Sequence, residues 1–353
     1  MFPSLPAQGR LRKEKPAWNM RHSDAPRQPC HAVCPMSPAI RVTTTARLHL
    51  GFLGPNEGSG RRFGSIGLSL DTPETRLLLR RAEQAEIIGP EAERAERYVR
   101  IMERRLGLAP GHALHIEAAI PAHAGLGSGT QLALAIAAGL RALYGFAPDL
   151  AGDAAALGRG HRSGIGIGLF AQGGLIVDGG KGPRPAPPPI LARIPVPSAW
   201  RILLVLDPAG RGLAGVDETA AFARLPPMRE AFSAELCRLT LLQALPALVE
   251  ADLSAFGQAV TKIQEMLGDY FAPVQGGRFA SARVAAALAV LAKVGAHGVG
   301  QSSWGPSGFA FAPDQEEAER LLKVLLQDRN AAQGLDIRIA RALNHGATIA
   351  RDA

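Results

Sequence analysis

The chain has 353 residues, 47% hydrophobic and 20% charged, with a net charge of +8, a balance that excludes a fibre or a solvated tail and provides for one large or two medium domains with real cores. Its longest apolar stretch, 132–140, is too short to cross a bilayer, and no amino-terminal apolar segment resembles a signal peptide, so a cytoplasmic protein without a membrane partner is expected. No aromatic-plus-basic strand or helix-turn-helix pattern accompanies the positive charge, which argues against nucleic acid and suits an enzyme for anionic substrates.

Half of the charge excess sits in residues 1–35, where six Arg and Lys face two acidic residues among many prolines and no hydrophobic periodicity. That stretch reads as a disordered leader or as translation begun too early, with Met36 just ahead of the first strand. Cys30, Cys34 and Cys237 are too few for a disulfide framework, and Cys30 and Cys34 beside His22 and His31 lack the usual zinc spacing. Alternating side chains predict strands over 40–53, 65–70 and 75–88, followed by a helix over 91–106 and a strand over 112–120.

That strand runs into Pro121-Ala122-His123-Ala124-Gly125-Leu126-Gly127-Ser128-Gly129-Thr130, and an apolar helix over 131–144 follows. Glycines let backbone approach an anion, and the helix points unpaired N–H groups and its positive dipole end at the same place. Gly125, Leu126, Gly127, Ser128, Gly129 and Thr130 are therefore candidate phosphate binders; the bland alternative is a capped strand-to-helix turn. No Gly-Lys-Ser/Thr follows, so this is not a Walker loop, nor does it fit the Gly-x-Gly-x-x-Gly dinucleotide turn.

A helix over 150–158 precedes Gly160-His161-Arg162-Ser163-Gly164-Ile165-Gly166-Ile167-Gly168, after which 168–177 reads as a strand ending in Asp178-Gly179-Gly180. The proline-rich 181–189 breaks regular structure and marks a surface connection at a domain boundary. Beyond it come a buried-type strand over 200–206, helices over 228–266 and 282–294, the segment Gly300-Gln301-Ser302-Ser303-Trp304-Gly305-Pro306, a strand over 308–312, a helix over 316–327 and a strand over 335–340. Strands and helices mix without strict alternation, which favours α+β.

The loop at 121–130 is similar to the phosphate loop of the GHMP kinase superfamily. With Thr45-Ala46-Arg47-Leu48-His49-Leu50-Gly51-Phe52, Arg62-Phe63-Gly64-Ser65-Ile66-Gly67, Gly173 to Gly180 and the Gln301-Ser302-Ser303-Trp304 segment, the chain from about residue 40 onward resembles the β-ribofuranosylaminobenzene 5′-phosphate synthase family. Outside the leader (1–35), the resemblance implies a two-domain GHMP-kinase-like fold: an N-terminal mixed α/β phosphate-loop domain (36–189) and a C-terminal ferredoxin-like α+β domain (190–353). It implies a homodimer, and the joining of 5-phosphoribosyl 1-diphosphate to 4-aminobenzoate or 4-hydroxybenzoate with release of diphosphate and carbon dioxide, an early step toward methanopterin-type one-carbon cofactors. Where the superfamily's kinases carry a catalytic Asp, this chain has Gly166, which can neither accept nor orient a proton.

Such a reaction needs cations for three phosphate groups and a pocket that holds the ring against C1 of the ribose. Arg47 and Arg162 are the favoured cations, with Arg62 as a further one; each has a structural ion pair as its alternative role. Ser302, Ser303 and Trp304 are expected to hold and wall the benzoate beside Gln301, with a core position the alternative for Trp304. Mg²⁺ is the expected companion of a diphosphate, with Glu117 and Asp178 as candidate ligands and surface carboxylates as their default reading. The competing functions are an ATP-dependent kinase for homoserine or an isoprenoid alcohol, and a phosphate-binding regulatory protein without chemistry.

Overall fold

Alternating burial along the first strand sets the architecture. In the computed structural model, which describes residues 38–54, 60–184, 186–213 and 215–352, β1 (Ala39–Gly54) buries Ile40, Val42, Thr44, Ala46 and Leu48 and exposes their neighbours more, as a strand with one face on a core must. The leader expected over 1–35 lies outside the described residues. β1 pairs antiparallel with β2 (Phe63–Arg81). That strand runs through both stretches expected as separate strands, and only Glu86–Ile88 stands apart, as β3. Pro73 is tolerated inside β2 because the strand changes partner there: Ser65–Leu68 pair with β5 (Leu175–Asp178), and Arg76–Arg81 with β4 (His112–Ala118). Between the two ladders a residue without an N–H loses no bond.

β3 runs parallel to β4, and β6 (Ile190–Ile194) flanks β5. The last strand, β11 (Thr348–Asp352), returns to the free edge of β1, with Ala39 opposite Asp352. A second, antiparallel sheet has the order β10 (Asp336–Ala340), β7 (Arg201–Leu206), β9 (Gly308–Ala312), β8 (His297–Gln301). Sheet membership does not follow a division at 189/190, since β6 and β11 both complete the seven-stranded first sheet. From Ser37 onward the chain is one unit.

α1 (Ala92–Leu106) and α2 (Ser128–Tyr144) lay Tyr98, Met102, Leu132 and Ile136 on Val42, Leu77 and Leu79 of the first sheet. α3 (Leu150–Ala156) is followed by α4 (Ile165–Gln172), a helix where a strand over 168–177 was expected. Glycine-rich sequence has low helix propensity, but here packing overrides it: a Cβ on Gly168 would lie 2.8 Å from Ile176 and 2.9 Å from Ile190. Gly173 and Gly174, both at positive φ, then turn the chain into β5.

α5 (Gly215–Arg224) follows β7, then α6 (Glu230–Leu239), a π-helical turn (Thr240–Ala244), α7 (Leu245–Val249) and α8 (Leu253–Gln275). The run Glu230–Val249 is long and apolar enough to cross a membrane, yet the π turn interrupts it and Leu236, Leu239, Ala244 and Leu248 are buried in the cores. α8 sends Phe256 and Val260 into a core shared by Leu48 and Leu68 of the first sheet and Leu204, Phe309 and Phe311 of the second. On the other face of the second sheet lie α9 (Ala282–Lys293) and α10 (Gln315–Gln327), followed by α11 (Arg329–Ala332). This places β1, the 121–130 loop and the 301–307 turn side by side.

Candidate active site

The 121–130 loop is built so that its carbonyls face away from an anion. The carbonyl of Leu126 accepts from the backbone N–H of Arg47 at 3.0 Å, that of Gly125 from the Ser302 hydroxyl at 2.8 Å and from Arg47 Nη1 at 3.1 Å, and that of Ala124 from the Ser307 hydroxyl at 2.7 Å. Gly125 has φ 73°, and a Cβ there would sit 2.4 Å from the Ser302 carbonyl; Gly127, at φ 83°, would put one 2.8 Å from Arg47 Cγ. Gly127 caps α2 without a side chain, leaving the helix N-terminus open to a ligand. Leu126 itself is core, 1% exposed, so it serves through its backbone.

The loop forms one wall of a cleft with two adjoining basins of about 570 and 370 Å³. Arg47, Thr130, Arg159, Glu218 and Ser303 border both. Arg47 makes no ion-pair contact among the described residues, and burial, only partly offset by the nearby Glu218 charge, pushes its pKa down to about 10, so it stays cationic and incompletely satisfied. Arg162 lines the larger basin, but Glu218 pairs with it and the Thr219 hydroxyl accepts from it at 2.5 Å. Arg159 and Arg94, which the sequence did not single out, line the smaller basin beside Ser128 and Gly129.

Other expected residues lie elsewhere. Arg62 borders a separate surface pocket with Lys181, with its guanidinium 5.9 Å from the Phe63 ring. Glu117 is drawn into ion pairs with Arg41 and Arg76, which hold its carboxyl below the ordinary range. Asp178 is fully buried, accepting from the N–H groups of Gly164 (2.9 Å) and Gly180 (2.8 Å) and from the Ser163 hydroxyl (3.1 Å); burial nonetheless raises its pKa. It holds the turns together. Neither carboxylate lines the cleft.

The 301–304 segment divides by role. Ser302 is fully buried; its hydroxyl accepts from the His49 N–H at 3.0 Å while donating to Gly125, so it joins β1 to the phosphate loop and cannot touch a substrate. Gln301 braces the turn, donating to the Ser303 carbonyl at 3.1 Å and accepting from Ala280 N–H at 2.7 Å. Trp304 is 3% exposed, packed on Phe222 and Phe271, and donates from Nε1 to Glu218 at 3.1 Å. It is core, and acts on the cleft through Glu218. Ser303 alone of the segment lines both basins, and its φ of 55° is the kind of backbone strain that collects at functional sites. A side recess shares His49, Phe52 and Ser303 with the larger basin and ends on Phe271 and Trp304.

Gly166 lines the cleft. A Cβ there would be 2.9 Å from Thr130 Cγ2, so the site has neither the kinases' carboxylate nor room for one as it stands. Among the residues lining the two basins, Glu218 is the one carboxylate, and no cluster of three or more metal-binding side chains occurs among the described residues. Mg²⁺ fits such a site when substrate phosphates supply most of its oxygens; Glu218 and the hydroxyls of Ser128 and Thr130 are the protein groups in reach of that role.

Comparison with known proteins agrees with this geometry. Residues 93–174 match the model of the GHMP kinases N terminal domain and residues 244–331 that of the GHMP kinases C terminal. A protein named beta-ribofuranosylphenol 5'-phosphate synthase in Archaeoglobus fulgidus is 33% identical over 64% of this chain and 76% of its own length. One of the same name in Methanothermobacter thermautotrophicus is 30% identical over 78% and 89%. Among solved structures, homoserine kinase from Cytophaga hutchinsonii superposes with a TM-score of 0.66 at 17% identity, covering 89% of this chain and 98% of its own. Mevalonate diphosphate decarboxylase from Staphylococcus aureus reaches 0.60 at 16%, with the same coverages.

Proposed function

The chain belongs to the β-ribofuranosylphenol 5′-phosphate synthase family, whose fold is that of the GHMP kinases, and from that premise we propose that it joins 5-phosphoribosyl 1-diphosphate to a 4-hydroxybenzoate or 4-aminobenzoate with loss of diphosphate and carbon dioxide. The observation that carries the reading is the cleft's mixed lining: Arg47 and Arg159 in both basins, an open helix N-terminus at the smaller one, Phe52 and His49 in the larger one, and glycine where a kinase keeps its base. The relatives' names specify a phenol product, which favours the hydroxybenzoate.

Arg47, Arg159 and the N-terminus of α2 bind the diphosphate and stabilise its negative charge as the bond to C1 lengthens. Glu218, Ser128 and Thr130 would be the groups to hold Mg²⁺, whose chemistry there would be to offset the charge on the departing diphosphate. Arg162 and His161 stand across the larger basin for the 5-phosphate. Ser303 and Phe52 hold the ring so that its carboxyl-bearing carbon faces C1, and exclusion of water keeps the activated ribose from hydrolysis. The same reading places the enzyme in the cytoplasm, as a homodimer, early in a methanopterin-type pathway.

Product mass spectrometry tests it. Phosphoribosyl diphosphate, Mg²⁺ and carboxyl-labelled benzoate should yield a ribosyl arene phosphate and labelled carbon dioxide. Label retained in the product would overturn the decarboxylating route, and sustained ADP formation with homoserine or an isoprenoid alcohol would favour the kinase.

A further inference from the structure

His49 is 2% exposed, and its Nε2 has no hydrogen-bond partner among the described residues. The residue is not loosely placed. Its N–H donates to the Ser302 hydroxyl at 3.0 Å and its carbonyl accepts from Ser303 N–H at 3.2 Å, while Phe52 packs on the ring at a centroid distance of 4.4 Å. A buried nitrogen left unsatisfied is costly, so a ring locked in this way points to a ligand that completes it. Nε2 belongs to a side chain lining both the larger basin and the recess that ends on Phe271 and Trp304. It is therefore on the aryl side of the cleft.

The nitrogen's character follows from its surroundings. Burial and the neighbouring Arg47 charge keep the imidazole neutral, with its pKa well below the ordinary value. A neutral imidazole carries one N–H and one lone pair, and in the Nδ1–H tautomer that the proposal takes, the unpartnered Nε2 presents the lone pair. A lone pair repels phosphate and carboxylate and needs a donor. On the aryl side, the donor a para-substituted benzoate brings is its O–H or N–H.

We propose that His49 Nε2 accepts the hydrogen of the substrate's para hydroxyl or amino group as the ring attacks, which makes His49 a catalytic residue; this rests on the aryl phosphoribosyl-transfer reading above. The ring carbon bearing the carboxylate forms a bond to ribose C1 while the C1–O bond to diphosphate breaks, its electron pair leaving with the diphosphate. The para O–H proton passes to Nε2 and its electron pair becomes the C=O of a neutral cyclohexadienone. The bond to the carboxylate then breaks, carbon dioxide leaves, and the released pair restores the aromatic ring. The para oxygen takes its proton back from Nε2. Nothing is oxidised or reduced.

The test compares wild type with His49→Gln on two substrates: 4-hydroxybenzoate, and a 3,5-difluoro derivative whose phenol is already largely ionised at the assay pH. General-base loss should slow the variant about a hundredfold on 4-hydroxybenzoate but less than about tenfold on the fluorinated compound, with unchanged calorimetric affinity for phosphoribosyl diphosphate. Equal slowing on both substrates, no slowing on either, or weakened phosphoribosyl diphosphate binding, which would assign Nε2 to a ribose hydroxyl, would each overturn the proposal. If wild type forms no riboside from either compound, the transfer reading itself has failed. Should His49→Gln not fold, ¹⁵N NMR of wild type decides: 4-hydroxybenzoate should shift a neutral Nε2 resonance that unsubstituted benzoate leaves in place, and identical spectra would sink the idea.

Discussion

Arg47 carries the clearest conflict between stability and binding at the scale of single residues. Its guanidinium is desolvated, with one carbonyl as acceptor and, among the described residues, no carboxylate in ion-pair contact; the charge of Glu218 offsets only part of the burial. Replacing a buried charge of this kind with an apolar side chain commonly stabilises a fold. Arg47→Met should therefore raise the melting temperature, by about 1–3 kcal/mol of stability, while phosphoribosyl diphosphate binding by calorimetry falls at least tenfold. A destabilised variant would show instead that Arg47 is a structural cation. His49 makes a pH prediction. Its folded pKa is depressed, so below about 6.5 the unfolded chain takes up a proton that the folded chain refuses, and stability is lost as pH falls. Melting curves of His49→Gln between pH 7 and 5 should fall less steeply than those of wild type. Parallel slopes would mean that His49 titrates normally.

Elements explain which parts of the site could be read from sequence. The place of the 121–130 loop on the cleft was legible because glycine spacing and the following apolar helix are local signals, and that of Ser303 because it lies within a motif. Glu218 and Arg159 were not. Glu218 lies on α5, which follows no motif and reaches the cleft through tertiary contacts with Arg162 and Trp304. Ser302 was expected at the substrate and sits behind the loop, while Trp304 takes the core position that was its alternative, at the end of the recess, since a motif can serve the joint behind a site as readily as the site. The helix α4 was read as a strand because its glycines carry no helical period; they are small to admit neighbours. This gives a coupled prediction. Gly166→Ala forces a methyl against Thr130 Cγ2 and should cost about 1–3 kcal/mol, whereas in a Thr130→Ser background, lacking that methyl, the cost should shrink by at least about 0.5 kcal/mol. Denaturant titration of the four proteins measures the coupling; strict additivity would mean that strain in α4 has another source.

Across the whole molecule, β11 completes the first sheet. The five register pairs from Ala39–Asp352 to Thr43–Thr348 cover the edge of β1, and Arg41 ties Asp352 to Glu117. Shortening the chain to residue 347 should expose that edge, lowering the melting temperature and producing aggregates visible by light scattering. A monodisperse shortened protein with unchanged melting would make β11 ornamental. The same pairing has a mechanical meaning. Because β11 runs antiparallel to β1, the end of β11 lies beside the start of β1, so tension applied at the two ends loads the ladder one hydrogen bond at a time rather than all together. Peeling requires far less force than shearing. Traction on the carboxyl-terminal end of β11 would therefore peel this seam, and the first strand removed would uncover the edge of β1, the strand that carries Arg47 and His49.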